Sequence, residues 1–122
     1  MVKALFDTNI LIDFLGGVPE ARRELGLYED AAISIVTWME VMVGASEETS
    51  VATRAFLARF KMVDLDEAIA ETAVQLRRSH RMRLPDAIVW ASARRQDRIL
   101  VTRNTRDFPE SDPGVRAPYT LG

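Results

Sequence analysis

Apolar positions along the chain come in short runs divided by polar turns, and their spacing changes from run to run. Residues 2–6 are apolar except for Lys3 and end at Asp7-Thr8-Asn9, which predicts a strand and then a turn. Residues 10–15 are apolar apart from Asp13 and stop at Gly16-Gly17, the pattern of a short helix. Residues 19–27 open on a proline, which suits the first turn of a helix because its missing N–H has no partner there anyway. The run 31–36 predicts a second strand. Residues 37–45 are apolar nearly all round, so the helix expected there should lie inside. Residues 47–60 predict an amphipathic helix, with Val51, Ala55, Leu57 and Ala58 on one stripe. Residues 62–65 read as a third strand, and 66–81 as a helix repeating Ile69, Thr72, Ala73 and Leu76. A last helix is expected at 85–96, a fourth strand at 98–102 and a fifth at 115–119.

Short apolar strands alternating with helices predict an α/β layer fold on a parallel sheet. The 122 residues are the length of one domain, and no repeat or linker divides them. In open parallel sheets ligands gather beyond the C-terminal strand ends. Asp7 ends the first strand, Asp107 lies just past the fourth, and Asp86 opens the helix leading into that strand. Glu40 stands within the apolar sequence 36–43. Each acid has an ordinary structural explanation. Asp7 can form a turn, Glu40 can complete a capping box with Thr37, Asp86 can sit on a helix dipole, and Asp107 can close an Asx turn. Together they suggest more. A carboxylate in an apolar helix needs a partner. Acids brought to one rim repel, and their pKa values rise unless a cation neutralises them.

Composition narrows the cation. There is no cysteine, and His80 is the single histidine, so a zinc site of thiolates and imidazoles is excluded. A nucleophilic triad is excluded too, unless built on His80, and the arginines around that residue mark it as surface. Hard oxygen ligands suit Mg²⁺ or Mn²⁺. Thr8, Asn9, Thr102 and Asn104 flank the acids and can orient carboxylates and bound waters, with capping and turn formation as the plain alternative. Absent cysteine also fits a reducing cytoplasm. Asp7 and Asp13 interrupt the first apolar stretch, so neither a signal peptide nor a membrane span is expected.

The formal charge of −2, from 16 basic and 18 acidic residues, excludes a chain-wide basic field. One bound divalent ion would cancel it. The basic residues are uneven: only Lys3 and Lys61 are lysine, and residues 77–106 hold nine arginines against Asp86 and Asp97. Arginine favours bidentate contact with phosphate, so this segment is either a phosphate-binding strip or a solvated helix face.

Four blocks in this order resemble the PIN-domain ribonucleases, and within them the VapC-type toxins of type II toxin–antitoxin pairs: FDTNILID (6–13), SIVTWMEVMVG (34–44), LPDAIVWASA (84–93) and ILVTRNTRDF (99–108). The resemblance spans nearly the whole chain. It implies a three-layer α/β/α sandwich around a mostly parallel sheet of four to five strands. It implies RNA hydrolysis that depends on one or two Mg²⁺ or Mn²⁺ ions, with Asp7, Glu40, Asp86 and Asp107 matching the family's acidic quartet as catalytic and metal-holding residues. Thr8, Asn9, Thr102 and Asn104 match its supporting polar positions. It further implies a homodimer and a VapB-type antitoxin whose C-terminal segment covers the active-site groove. Arg94, Arg95, Arg103 and Arg106 are then the candidates for RNA contact. A catalytically inactive PIN-like binding or dimerisation module is the alternative.

Trp90 departs from the family, which mostly has small residues there; it fills the core, a dimer interface or the RNA groove. Other enzymes with acids at strand ends match less well. A receiver domain would want a lysine late in the chain, and none follows Lys61. A haloacid-dehalogenase-type phosphatase would want Asp where Asn9 stands, and no P-loop motif occurs.

Overall fold

Alternation along the strands divides the core in two. The computed structural model describes residues 2–122. Its elements are β1 (Lys3–Phe6), α1 (Thr8–Leu15), α2 (Pro19–Leu25), β2 (Asp30–Ser34), α3 (Ile35–Val43), α4 (Ser50–Leu57), β3 (Lys61–Val63), α5 (Glu67–His80), α6 (Leu84–Arg95), β4 (Ile99–Val101) and β5 (Val115–Arg116). All strand pairs are parallel, in the order β3-β2-β1-β4-β5. Leu5, Ala32 and Leu100 join one apolar cluster with Ile69, Ala73 and Trp90 of α5 and α6. Ala4, Phe6, Ile33 and Val101 join another with Ile10, Leu11, Phe56 and Leu57 of α1 and α4. Successive strand residues point to opposite faces, so helices must cover both. The result is the expected α/β/α sandwich.

Strands pass directly into helices at one rim. Asp7 follows β1 and caps α1, its Oδ1 accepting the Thr8 N–H at 2.8 Å. Ser34 ends β2 and caps α3, its Oγ accepting the Val36 N–H at 3.1 Å. Each cap satisfies a backbone donor that the first helical turn leaves open. α1 stops at Gly16-Gly17, where Gly17 has φ +85°, a region glycine enters without steric cost.

Two expectations about helix faces are corrected. α3 is not inside: Met39 is 48% and Val43 86% exposed, and only Val36, Thr37 and Val41 are buried. A helix lying on a sheet offers the core one face, so the other apolar positions of α3 point outward. In α4 the buried residues are Thr53, Phe56 and Leu57, while Val51, Ala55 and Ala58 are exposed. Phe56 sets the helix rotation because its large ring stacks on Phe14 at 4.8 Å and meets Phe60 edge-on at 5.3 Å. β5 is shorter than expected; Pro118 has no N–H with which to prolong a ladder. Trp90 fills the core, meeting Phe108 edge-on at 5.8 Å. No helix among the described residues is long and apolar enough to cross a membrane.

Candidate active site

The β1–β4 pairing builds the site. The Asp7 N–H donates to the Val101 carbonyl at 2.9 Å, so the ladder runs one residue past β1 and sets Asp7 beside Thr102. The Thr102 hydroxyl donates to Asp7 Oδ2 at 2.8 Å. Asn9, in the first turn of α1, donates from Nδ2 to Asp7 Oδ2 and to Thr102 Oγ1, at 3.1 Å each. Thr8 turns the other way: its hydroxyl donates to Glu40 Oε1 at 2.7 Å and ties α1 to α3. Beyond β4, Asn104 and Asp107 bond reciprocally, Asn104 Nδ2 donating to Asp107 Oδ2 at 2.9 Å and the Asp107 N–H donating to Asn104 Oδ1 at 3.2 Å.

The acids influence one another through space. Burial pushes Asp7 up to about 6 despite hydrogen bonds from Thr102 and Thr8, and the charges of Asp86 and Glu40 add to the rise. Asp86 is also raised, by burial first; nearby Arg83 opposes this, and Asp107 and Glu40 reinforce it. Arg83 Nε stays 3.6 Å from Asp86 Oδ2, too far for a hydrogen bond, so that buried oxygen has no partner.

The structural alternatives divide. Asp7 does cap a helix, and Asp86 does lie in the first turn of α6. Glu40 is in no capping box, because Ser34 and not Thr37 is the cap. Nor is Glu40 a carboxylate buried in an apolar helix: it is exposed and reaches Thr8. His80 is exposed, against Trp90, and takes no part.

The four arginine candidates also divide. Arg103 Nε and Nη2 grip Asp13, the latter at 3.0 Å, and Arg94 lies 4.7 Å above the Trp90 ring while pairing with Asp112 at 3.1 Å. Arg95 and Arg106 are exposed and form no ion pair among the described residues. Sequence reasoning passed over Asp13, which is 7% exposed. Its signal was visible: a lone carboxylate in an apolar run needs a partner.

Residues 4–112 match the family described as PIN domain. The chain belongs to the PIN-domain family. It is 34% identical over 120 residues to the tRNA(fMet)-specific endonuclease VapC of Shigella flexneri, covering 88% of this chain and 91% of that protein. Among solved structures, a toxin–antitoxin complex from Klebsiella pneumoniae contains a chain 45% identical, with TM-score 0.93 over 98% of this chain and 100% of that one. The DNA-bound VapBC of Salmonella typhimurium contains one 28% identical, with TM-score 0.79 over 95% and 96%. This PIN domain is of the VapC type.

PIN-domain chemistry, as the resemblance implies it, calls for a divalent cation. The donors in this PIN domain suit one: all are oxygens, two are desolvated and raised, and Asp86 Oδ2 has no hydrogen-bond partner, only the longer ion pair to Arg83. The expectation that the acids gather into one cluster is met only in part. Among the described residues no three Asp, Glu or His side chains close into a ready-made cage. Glu40 leans on Thr8 and Asp107 on Asn104, so the acids share a rim and an electrostatic field.

Proposed function

We propose that this chain is the toxin of a VapBC-type pair, an endoribonuclease that depends on Mg²⁺ or Mn²⁺. The observation that carries the reading is the acid rim itself: Asp7 and Asp86 are desolvated and feel the charge of Glu40, and the buried Asp86 Oδ2 has no hydrogen-bond partner. Asp7, Glu40, Asp86 and Asp107 would hold the cation. When bound, a cation of this kind neutralises the acids, polarises a phosphodiester and lowers the pKa of a water. The chain's own residues do the rest. Thr102 and Asn9 fix the Asp7 carboxylate, Thr8 fixes Glu40 and Asn104 fixes Asp107. Water adds across the P–O3′ bond: its oxygen joins phosphorus, the 3′ oxygen leaves with a proton, and a 5′-phosphate remains. Arg95 and Arg106 are free to meet the RNA backbone.

The VapBC character of the similar structures supports a VapB-type antitoxin as partner; a homodimer is what the family resemblance implies. A groove of about 430 Å³ between α1, α3 and α4, lined by Ile12, Leu15, Val41 and Ala52, offers an apolar antitoxin segment a seat. Purified protein free of antitoxin tests the catalytic reading. Asp7→Asn and Asp86→Asn should each abolish Mg²⁺-dependent cleavage and growth arrest. Unchanged cleavage in both variants refutes the site. A wild type inert with Mg²⁺ and Mn²⁺, and harmless on expression, would be the inactive binding module.

A further inference from the structure

Two buried carboxylates on the α1–α2 side are held in the same way. Glu24 accepts from Arg116 Nε and Nη2 at 2.6 and 2.9 Å and from the Tyr28 hydroxyl at 2.9 Å. Asp13 accepts from the Arg103 fork and from the Tyr119 hydroxyl, the latter at 2.7 Å. Each trio is one acid, one guanidinium and one phenol. Such charge-assisted forks fix geometry as well as contributing energy.

Only one trio is wired to the acid rim. The Arg103 backbone N–H donates to Asn9 Oδ1 at 3.0 Å. An N–H can only donate, so it decides which end of the Asn9 amide faces it. The other end, Nδ2, then faces Asp7 Oδ2 and Thr102 Oγ1. Turned over, the amide would set its carbonyl oxygen against the Asp7 carboxylate. Asn9 and Asp13 lie four residues apart on α1 and so share a face. Arg103 therefore grips one helix face twice, by its side chain at Asp13 and by its backbone at Asn9. It also stands between Thr102 and Asn104, so its placement governs both. Tyr119 adds the final segment of the chain to the same clamp.

We propose that Asp13, Arg103 and Tyr119 are positioning residues: through the Arg103 backbone they hold the Asn9 amide in the orientation that donates to Asp7, and so prepare Asp7 for its cation. The last step rests on the proposed function; the orientation of Asn9 does not. On this reading Arg103 serves the site from within and is not an RNA contact.

The experiment compares wild type with Arg103→Lys, Tyr119→Phe and Tyr28→Phe. Tyr28→Phe removes the equivalent phenol from the trio that has no link to Asn9. Three quantities are read: the Asn9 side-chain amide resonances without metal, Mg²⁺ affinity by calorimetry, and Tm. Arg103→Lys keeps the charge but loses the fork. It and Tyr119→Phe should shift the Asn9 resonances, although neither side chain touches Asn9, and weaken Mg²⁺ binding by about tenfold. Tyr28→Phe should lower Tm comparably and leave both other readouts as in wild type. Unmoved Asn9 resonances in Tyr119→Phe and Arg103→Lys would overturn the proposal, whatever happens to Tm. So would an equal shift in Tyr28→Phe. A wild type that binds no Mg²⁺ would sink the cation site, and the Asn9 resonances would still decide the positioning.

Discussion

The Thr102 hydroxyl has one proton and two lone pairs, and all are used. It donates to Asp7 and accepts from Asn9 Nδ2 and from the Asn104 N–H, the latter at 3.0 Å. Thr102→Val keeps the shape and removes all three bonds. It should cost about 10–100-fold in cation affinity or activity, read from the Mn²⁺ dependence of cleavage in folded protein. Trp90 tests the other side of the sheet. Its Nε1–H is buried without a partner, so its value lies in its volume. Trp90→Ala should cost about 3–5 kcal/mol in urea denaturation. Trp90→Phe should cost clearly less, because it removes the unpaired donor while keeping a ring against Phe108. Asp7 was legible in the sequence because it follows the first strand, and Thr102 because it is a short polar residue shortly before Asp107. The partner of Arg103 was not: Asp13 lies 90 residues away, and only the β1–β4 pairing brings the two segments together.

At the scale of elements, the Glu24 trio fastens β5 to α2. Burial pushes the Glu24 carboxyl up, but the Arg116 fork and the Tyr28 phenol outweigh it and hold the group below its usual 4.5. The native state therefore binds this proton less readily than the unfolded chain. The stability Glu24 contributes is present above pH 4.5 and is lost as pH falls through its lower folded value. Glu24→Gln should be less stable than wild type at neutral pH, and its Tm should fall less steeply below pH 4.5; parallel Tm curves would count against the trio. Most elements were readable, since strands covered on both faces show as short apolar runs and the Ile69-Ala73-Leu76 spacing of α5 matches one buried face. The faces of α3 and α4 were not. Hydrophobicity along a helix does not reveal how much of its girth the sheet can cover, and Val43 and Val51 are left outside.

Across the whole molecule, the acid rim and the apolar groove proposed for an antitoxin segment occupy different places. The acids lie at the strand ends, and the apolar groove between α1, α3 and α4 is lined by Ile12 and Leu15, each 45% exposed. Ala52→Glu puts a carboxylate into that groove without touching the rim. It should weaken antitoxin binding by about tenfold or more while cleavage by the free toxin is unchanged. Titrating antitoxin against cleavage checks both at once, and undiminished inhibition would move the antitoxin elsewhere. The charge of −2 also takes on a local meaning at this scale, since acids gathered at the rim and arginines facing solvent cancel in the sum. The sheet has its own bearing on how copies meet. Its edges are β3, three residues long and opening on Lys61, and β5, two residues long. Such stubs expose too few free backbone groups to template a strand from another chain. Crowded copies therefore have little route to edge-to-edge fibrils, and a partner that arrives as an extended strand finds nothing to extend.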